Sequence, residues 1–381
     1  MIALVVVYPI GADAAPKTAA PPYPCASFIC VEAETGMVLF EHNADAQRAP
    51  ASMVKMIQML MVSEQLRGDR WTPESVIPVS RHAQLMGGTQ VYLEAGESWP
   101  LGHLLTAVSV ASANDAAMAI AEGVWGSEEG YLKAMNAQAK AWGMSNSTFT
   151  SVHGLPPDKG ELPDRTTARD MATLARHCVT DPLVMKLAGT KEFNFRDTDA
   201  TKYNTNKMLL RMEDCDGIKT GFTRAAGFCV SATAQRNDIR LITVVMGCDN
   251  KNERFAFAES LLDRGFAALK RRRLLRAGDL LAKEVSVQNC ETESVQLKVT
   301  EDLWAVEKRA DAAPLDYELD MPQRLRAPLT EGQVVGKVRV VRGDTTLGTV
   351  PVVVPANLPV AGWKWKLRQS LLGRKKKEKT S

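Results

Sequence analysis

Apolar and polar positions along this chain fall into two textures that meet near Arg273. Residues 27–42 alternate as strand, turn at Glu34-Thr35-Gly36, and strand, a hairpin pattern. Pro50-Ala51-Ser52 then opens a helix that runs to about Leu66, with proline at a position a first turn tolerates. Met53, Val54, Met56, Ile57, Met59, Leu60, Met61 and Val62 make it apolar nearly all round, so it belongs in the middle of a domain. Helical periods follow over 103–125, 127–142 and 166–180. Strand patterns return at 217–222, 226–234 and 239–247, the last two joined by the turn-forming Gln235-Arg236-Asn237-Asp238. Residues 252–269 form an amphipathic helix with Phe255, Phe257, Leu261, Leu262 and Phe266 as its stripe. This is an α+β pattern, helices packed on an antiparallel sheet.

Beyond Arg273 the helical period vanishes. Short alternating runs at 285–287, 295–299, 334–341 and 348–354 predict a small all-β domain, closed by a break at 355–359. Trp363, Leu367 and Leu371 then recur every four residues among cations, leading into Arg374-Lys375-Lys376-Lys377. That pattern reads as an interfacial helix on anionic lipid, with a disordered basic tail as the alternative. At the other end, Met1 to Ile10 is apolar and Gly11 to Ala15 is small, the form of a secretory signal cleaved near Ala14 or Ala15. No Lys or Arg precedes the run, and a buried N-terminal strand is the alternative. The expected order is signal 1–15, linker 16–26, first domain 27–270, β-domain 274–355 and tail 360–381.

Composition adds little to this. The 381 residues are 45% hydrophobic and 24% charged with net charge +3, so nothing draws the chain toward nucleic acid. Its positive charge is local, at Lys270 to Arg273 and in the tail. Seven cysteines without a C-x-x-C pair and five scattered histidines do not support a zinc site. Cys25 with Cys30, or Cys215 with Cys229, are candidate bridges; free buried thiols are the alternative.

Candidate chemistry lies in three motifs taken in order: Ser52-Met53-Val54-Lys55, Ser112-Ala113-Asn114 and Lys219-Thr220-Gly221. Each is weak alone; together, in this order, they resemble the motif set of penicillin-binding proteins and class A β-lactamases. Ser52 and Lys55 rise on one face of a first turn, whose free N–H groups can hold an oxyanion. A serine hydroxyl needs a base, and burial in an apolar helix depresses the lysine pKa so that Lys55 can act as one. Ser112 and Asn114 project a hydroxyl and an amide from a loop, or simply cap the next helix. In a strand, Gly221 lets another backbone approach and add alongside. Lys219 supplies charge and Thr220 a hydroxyl for a terminal carboxylate.

These motifs, with Ala49-Pro50-Ala51-Ser52, His153-Gly154-Leu155, Thr167-Ala168-Arg169-Asp170, Gly221-Phe222-Thr223, Ala226-Gly227-Phe228-Cys229, Met246-Gly247 and Arg254-Phe255, resemble signatures of one family. It is that of serine-type D-Ala-D-Ala carboxypeptidases, low-molecular-weight penicillin-binding proteins. The resemblance covers roughly 27–269 and implies a transpeptidase domain like that of penicillin-binding proteins and β-lactamases. The β-domain and the amphipathic segment also resemble the family's C-terminal arrangement. It further implies that Ser52 is acylated by the penultimate D-Ala of a peptidoglycan stem peptide, with Lys55 as base and Ser112 as proton relay. Asn114 would contact the substrate backbone and Lys219 would stabilise charge. Thr220 and Thr223 would lie by the substrate carboxylate with Arg254 assisting, and the N–H groups of Ser52 and Phe222 would form the oxyanion hole. No metal or cofactor is expected, β-lactams are expected to acylate the enzyme, and an exported protein held on the outer face of the cytoplasmic membrane by its tail is expected.

Two positions depart from the pattern: Val54, where threonine is usual, and Pro163-Asp164-Arg165, where a histidine is common. Three rival readings remain. A class A β-lactamase needs an E-x-x-x-N-like loop, and Glu161 has no such asparagine after it. A D,D-endopeptidase would use the same residues but usually lacks the C-terminal domain. A wall-binding protein without catalysis would have no use for a nucleophile with its base.

Overall fold

The computed structural model describes residues 23–367 except 158, 159, 161, 198, 199, 312 and 366. The expected signal, the linker up to residue 22 and the tail beyond Leu367 lie outside the described residues. Two compact units divide the chain, the first taking most of residues up to 261 and the second most of those after.

Strands of the first unit are β1 (Cys25–Glu32), β2 (Val38–His42), the short pairs β3 (Val76–Pro78) with β4 (Ser98–Pro100) and β5 (Glu192–Phe193) with β6 (Lys202–Tyr203), then β7 (Cys215–Thr223), β8 (Gly227–Arg236) and β9 (Ile239–Cys248). Five of them form one sheet in the order β2-β1-β9-β8-β7. Its helices are α1 (Lys55–Leu66), α2 (Arg81–Gln84), α3 (Leu101–Val110), α4 (Asn114–Trp125), α5 (Glu128–Ala141), α6 (Ala168–Val179) and α7 (Pro182–Gly189), with α8 (Glu253–Ala268) leading into the second unit.

Helix α1 is buried from Lys55 through Ser63 and packs against α3, α5, α6, α7 and β7. An all-round apolar surface can be covered only in that central position. Ser127, Thr167 and Asp181 cap α5, α6 and α7 by accepting a backbone N–H, which sets where each helix begins. The period over 103–125 is interrupted: α3 stops and α4 restarts around Ser112, which lies at φ +62°. Asn237 and Asp238, both at positive φ, make the two-residue turn between β8 and β9.

Neither candidate disulfide forms. Cys25 is bonded to Cys248 on the neighbouring strand, with Cα atoms 4.0 Å apart. Cys30 lies five residues further along the same strand, too far for a bridge to Cys25. Its thiol donates to the Leu261 carbonyl, and Cys215 and Cys229 are separate buried thiols.

From the end of α8 to Val353 the second unit is built of β-strands. Strands β11 (Leu280–Gln288), β12 (Ser294–Val299), β14 (Asp316–Asp320), β15 (Leu325–Arg326), β16 (Val334–Arg342) and β17 (Thr345–Val353) form a sheet in the order β14-β16-β17-β12-β11-β15. A separate pair joins β10 (Leu269–Leu275) to β13 (Leu303–Lys308). Leu297, Val299, Val338, Val340, Val350 and Val352 alternate into its core. The basic run Lys270 to Arg273 lies in β10, where the guanidinium groups of Arg271 and Arg273 sit 4.5 and 5.4 Å from the Trp304 ring centroid. Trp363 to Trp365 and Leu367 are helical, with Trp363 and Leu367 exposed. Among the described residues no helix is long and apolar enough to cross a membrane.

Candidate active site

Ser52 sits in a 3-10 turn (Ala51–Val54) that runs straight into α1. Residues three apart eclipse in such a turn, so the side chains of Ser52 and Lys55 lie one above the other. Ala51 is held at φ +50°, a conformation costing a non-glycine residue about 1–2 kcal/mol. Two glycines allow neighbouring segments to press on this turn. A Cβ on Gly154 would fall 2.1 Å from the Ala51 carbonyl oxygen and 2.9 Å from the Ser52 nitrogen. One on Gly221 would fall 2.6 Å from the Pro50 oxygen. The motif glycine of β7 is therefore required by the backbone beside the serine, whatever ligand approaches the strand.

Lys55 is wholly buried. Its Nζ donates to Ser52 Oγ at 3.2 Å, to Asn114 Oδ1 at 2.7 Å and to the His153 carbonyl at 2.8 Å. All three partners are neutral oxygens. Burial holds its pKa well below the ordinary lysine value, and the Lys219 charge lowers it further against the weaker opposing pull of Asp164 and Asp115. Lys219 is 1% exposed, and its Nζ has no hydrogen-bond partner among the described residues. Burial, with Arg254 nearby, brings its pKa down to about 7. Arg254 is also buried; its Nη1 donates to the carbonyls of Gly221 and Cys229 at 3.1 Å each, tying β7 to β8. Its Nε has no partner among the described residues, and burial lowers its pKa to about 10.

Asn114 opens α4, holds Lys55 with its oxygen and donates from Nδ2 to the Gly87 carbonyl at 2.7 Å. Ser112, 5% exposed, lies two residues before it in the left-handed turn. Thr220 Oγ1 donates to Thr205 Oγ1 at 2.7 Å, while Thr223 Oγ1 accepts the Ala226 N–H at the end of β7. Phe222 projects outward, 52% exposed, its ring stacked on Phe228 at 4.1 Å. The loops and β7 thus bring Ser52, Lys55 and Asn114 into one hydrogen-bonded cluster, and the Lys219 charge reaches Lys55.

Three supporting groups are less legible in sequence. Asp164 lies within one of the departures from the family pattern. It accepts the N–H groups of Thr150 and Ser151 and both hydroxyls, and burial raises its pKa against those bonds. Ser151 Oγ in turn accepts the Gly154 N–H, so one carboxylate fixes the loop whose carbonyl, that of His153, meets Lys55. His153 itself is kept neutral, its pKa lowered by burial to about 3, and its Nδ1 accepts the Leu155 N–H. Asp115 is fully buried and accepts the N–H groups of Val91 and Leu93, hanging the loop that borders Asn114.

Comparison with known proteins places this site in context. The family model for D-alanyl-D-alanine carboxypeptidase matches residues 15–250, and that for the C-terminal domain of penicillin-binding protein 5 matches residues 270–359. The chain is 32% identical over 341 residues to the D-alanyl-D-alanine carboxypeptidase DacF of Bacillus subtilis, covering 88% of this chain and 86% of that protein. It is 31% identical over 354 residues to the D-alanyl-D-alanine carboxypeptidase DacC of Escherichia coli, covering 90% and 86%. Penicillin-binding protein 5 from Haemophilus influenzae superposes with a TM-score of 0.70 at 26% identity, over 90% of this chain and all of that one.

Proposed function

The chain belongs to the D-alanyl-D-alanine carboxypeptidase family of serine-type hydrolases, and from that premise we propose that it removes the terminal D-Ala of peptidoglycan pentapeptides through an acyl-enzyme on Ser52. The observation that carries this reading is the Lys55 ammonium site, buried, 3.2 Å from the Ser52 hydroxyl and, among the described residues, bonded to neutral oxygens alone. A lysine so placed sheds its proton readily and accepts the one on Ser52 Oγ as that oxygen attacks the penultimate D-Ala carbonyl. The N–H groups of Ser52 and Phe222 receive the developing oxyanion. Collapse of the tetrahedral species breaks the amide bond, and the proton passes through Ser112 to the leaving D-Ala amine. Water then hydrolyses the ester by the same route in reverse. Lys219, Thr220, Thr223 and Arg254 hold the terminal carboxylate; the buried Nζ of Lys219, without a hydrogen-bond partner among the described residues, favours that role, since a buried cation gains most from an anion. Asn114 meets the substrate backbone on the opposite side. β-Lactams acylate Ser52 in the same manner.

The test uses labelled penicillin and mass spectrometry. An adduct on Ser52, absent in Ser52→Ala, with free D-Ala released from a pentapeptide by the wild type, is the expected result. An adduct on another residue, or acylation without D-Ala release, rejects the reading; cleavage of cross-linked dimers alone identifies an endopeptidase instead. The assignments 27–270 as catalytic domain, 274–355 as β-domain, export under a signal at 1–15 and peripheral attachment through 360–381 belong to the same proposal. Exposed Trp363 and Leu367 support the last of these. Binding to anionic vesicles is expected to weaken with salt; equal binding by a chain ending at Pro359 would reject it.

A further inference from the structure

On the Asn114 side of the site, the chain spends conformational energy to present an aromatic ring to solvent. Tyr92 is 69% exposed and lies at φ +56°, outside the region that non-glycine residues favour. Its neighbours are anchors: Val91 and Leu93 are buried at 0% and 2% exposure, and their N–H groups bond to the buried Asp115 carboxylate. From the other side Arg196 donates to the carbonyls of Val91 (2.8 Å) and Tyr92 (3.2 Å). Both polar flanks of this step are therefore held by charged side chains, and the side chain turned outward gains little by burial. A glycine would occupy the position with less strain. The Lys202 ammonium of β6 lies 5.5 Å from the ring centroid, a cation–π contact at an exposed position that is too weak to require the strained φ.

Distance suggests what this ring meets. Asn114 bonds through its N–H to the Thr89 carbonyl and through Nδ2 to that of Gly87, both at 2.7 Å. Tyr92 follows Thr89 by three residues, so its Cα lies within about 11 Å of that of Thr89. In a pentapeptide attached to its amino sugar, four residues separate the scissile bond from the sugar, about 13–14 Å when extended. A pyranose ring presents a C–H face that an aromatic ring covers with gain from burial and dispersion.

We infer that Tyr92 is a sugar-binding residue, stacking on the N-acetylated amino sugar that carries the stem peptide, so that the enzyme prefers glycan-attached over free pentapeptide. This rests on the carboxypeptidase reading above. The inference is tested by D-Ala release from N-acetylmuramyl-pentapeptide and from the same pentapeptide without sugar, as the ratio of the two kcat/KM values. Expected is a ratio in favour of the sugar-bearing substrate that drops about three- to tenfold in Tyr92→Gly and is kept in Tyr92→Phe. Because glycine suits the φ at this position, the Tm of Tyr92→Gly should not fall. An unchanged ratio in Tyr92→Gly overturns the inference, as does an equal decline on both substrates, which would mark a peptide contact or a structural role. D-Ala release from neither substrate by the wild type would instead remove the carboxypeptidase reading, and this inference with it.

Discussion

Buried charge is handled in opposite ways in the two units. In the β unit the carboxylate of Glu307 is fully buried and pairs with Arg342, itself nearly buried, while Arg272 lies 3.8 Å from its other oxygen. In the first unit Lys55 and Lys219 are equally buried, yet one is bonded to neutral oxygens and the other to nothing among the described residues. A buried pair is retained as a structural contact, whereas an unpaired buried cation is costly and gives up its proton at lower pH. Paired charge holds the fold of the β unit, whereas the unpaired charge of the first unit is what the proposed chemistry draws on.

Substitutions can break that contrast. Lys55→Met removes the proposed base, and the rate of Ser52 acylation by penicillin should fall about 10²- to 10⁴-fold while the fold is retained. Glu307→Gln removes the buried partner of Arg342, which keeps Asp311 at 3.5 Å; loss of about 1–3 kcal/mol in the β unit is expected on denaturant unfolding, with acylation of Ser52 unchanged. Asp164→Asn keeps the shape but weakens the bonds that fix the His153 loop, and about 1–3 kcal/mol should be lost, accompanied by slower acylation. The smallest effect is a displacement of a pH limb. Lys219 is charged below about 7 and neutral above it, so kcat/KM should decline as pH rises through that value. A bound carboxylate favours the charged form and moves the matching limb of kcat upward. Lys219→Arg, charged throughout, should abolish the decline.

Much of this was legible in the chain. The all-round apolar helix, the three motifs and the strand that bears Lys219 come from periodicity and spacing, which local sequence carries directly. Strands β10, β13, β14 and β15 went unread, since arginine-rich β10 and two-residue β15 have no apolar alternation to notice. The Cys25–Cys248 bond spans 223 residues and depends on strand order, which no local pattern encodes. Asp164 and Asp115 act through backbone N–H groups of other loops, a role that composition and spacing do not mark. In sequence Gly221 signals room for a ligand, whereas in the fold the turn at Pro50 already demands it.

The proposed chemistry needs Lys55 neutral at the moment Ser52 attacks. The direct measurement is the second-order rate of Ser52 acylation by penicillin as a function of pH, in the wild type and in Lys55→Met. Because Lys55 is neutral above its folded pKa, the rate should climb with pH through a midpoint well below the ordinary lysine value of 10.5, and Lys55→Met should lose that limb. A midpoint near 10.5, or a limb that survives the substitution, would contradict the role given to Lys55.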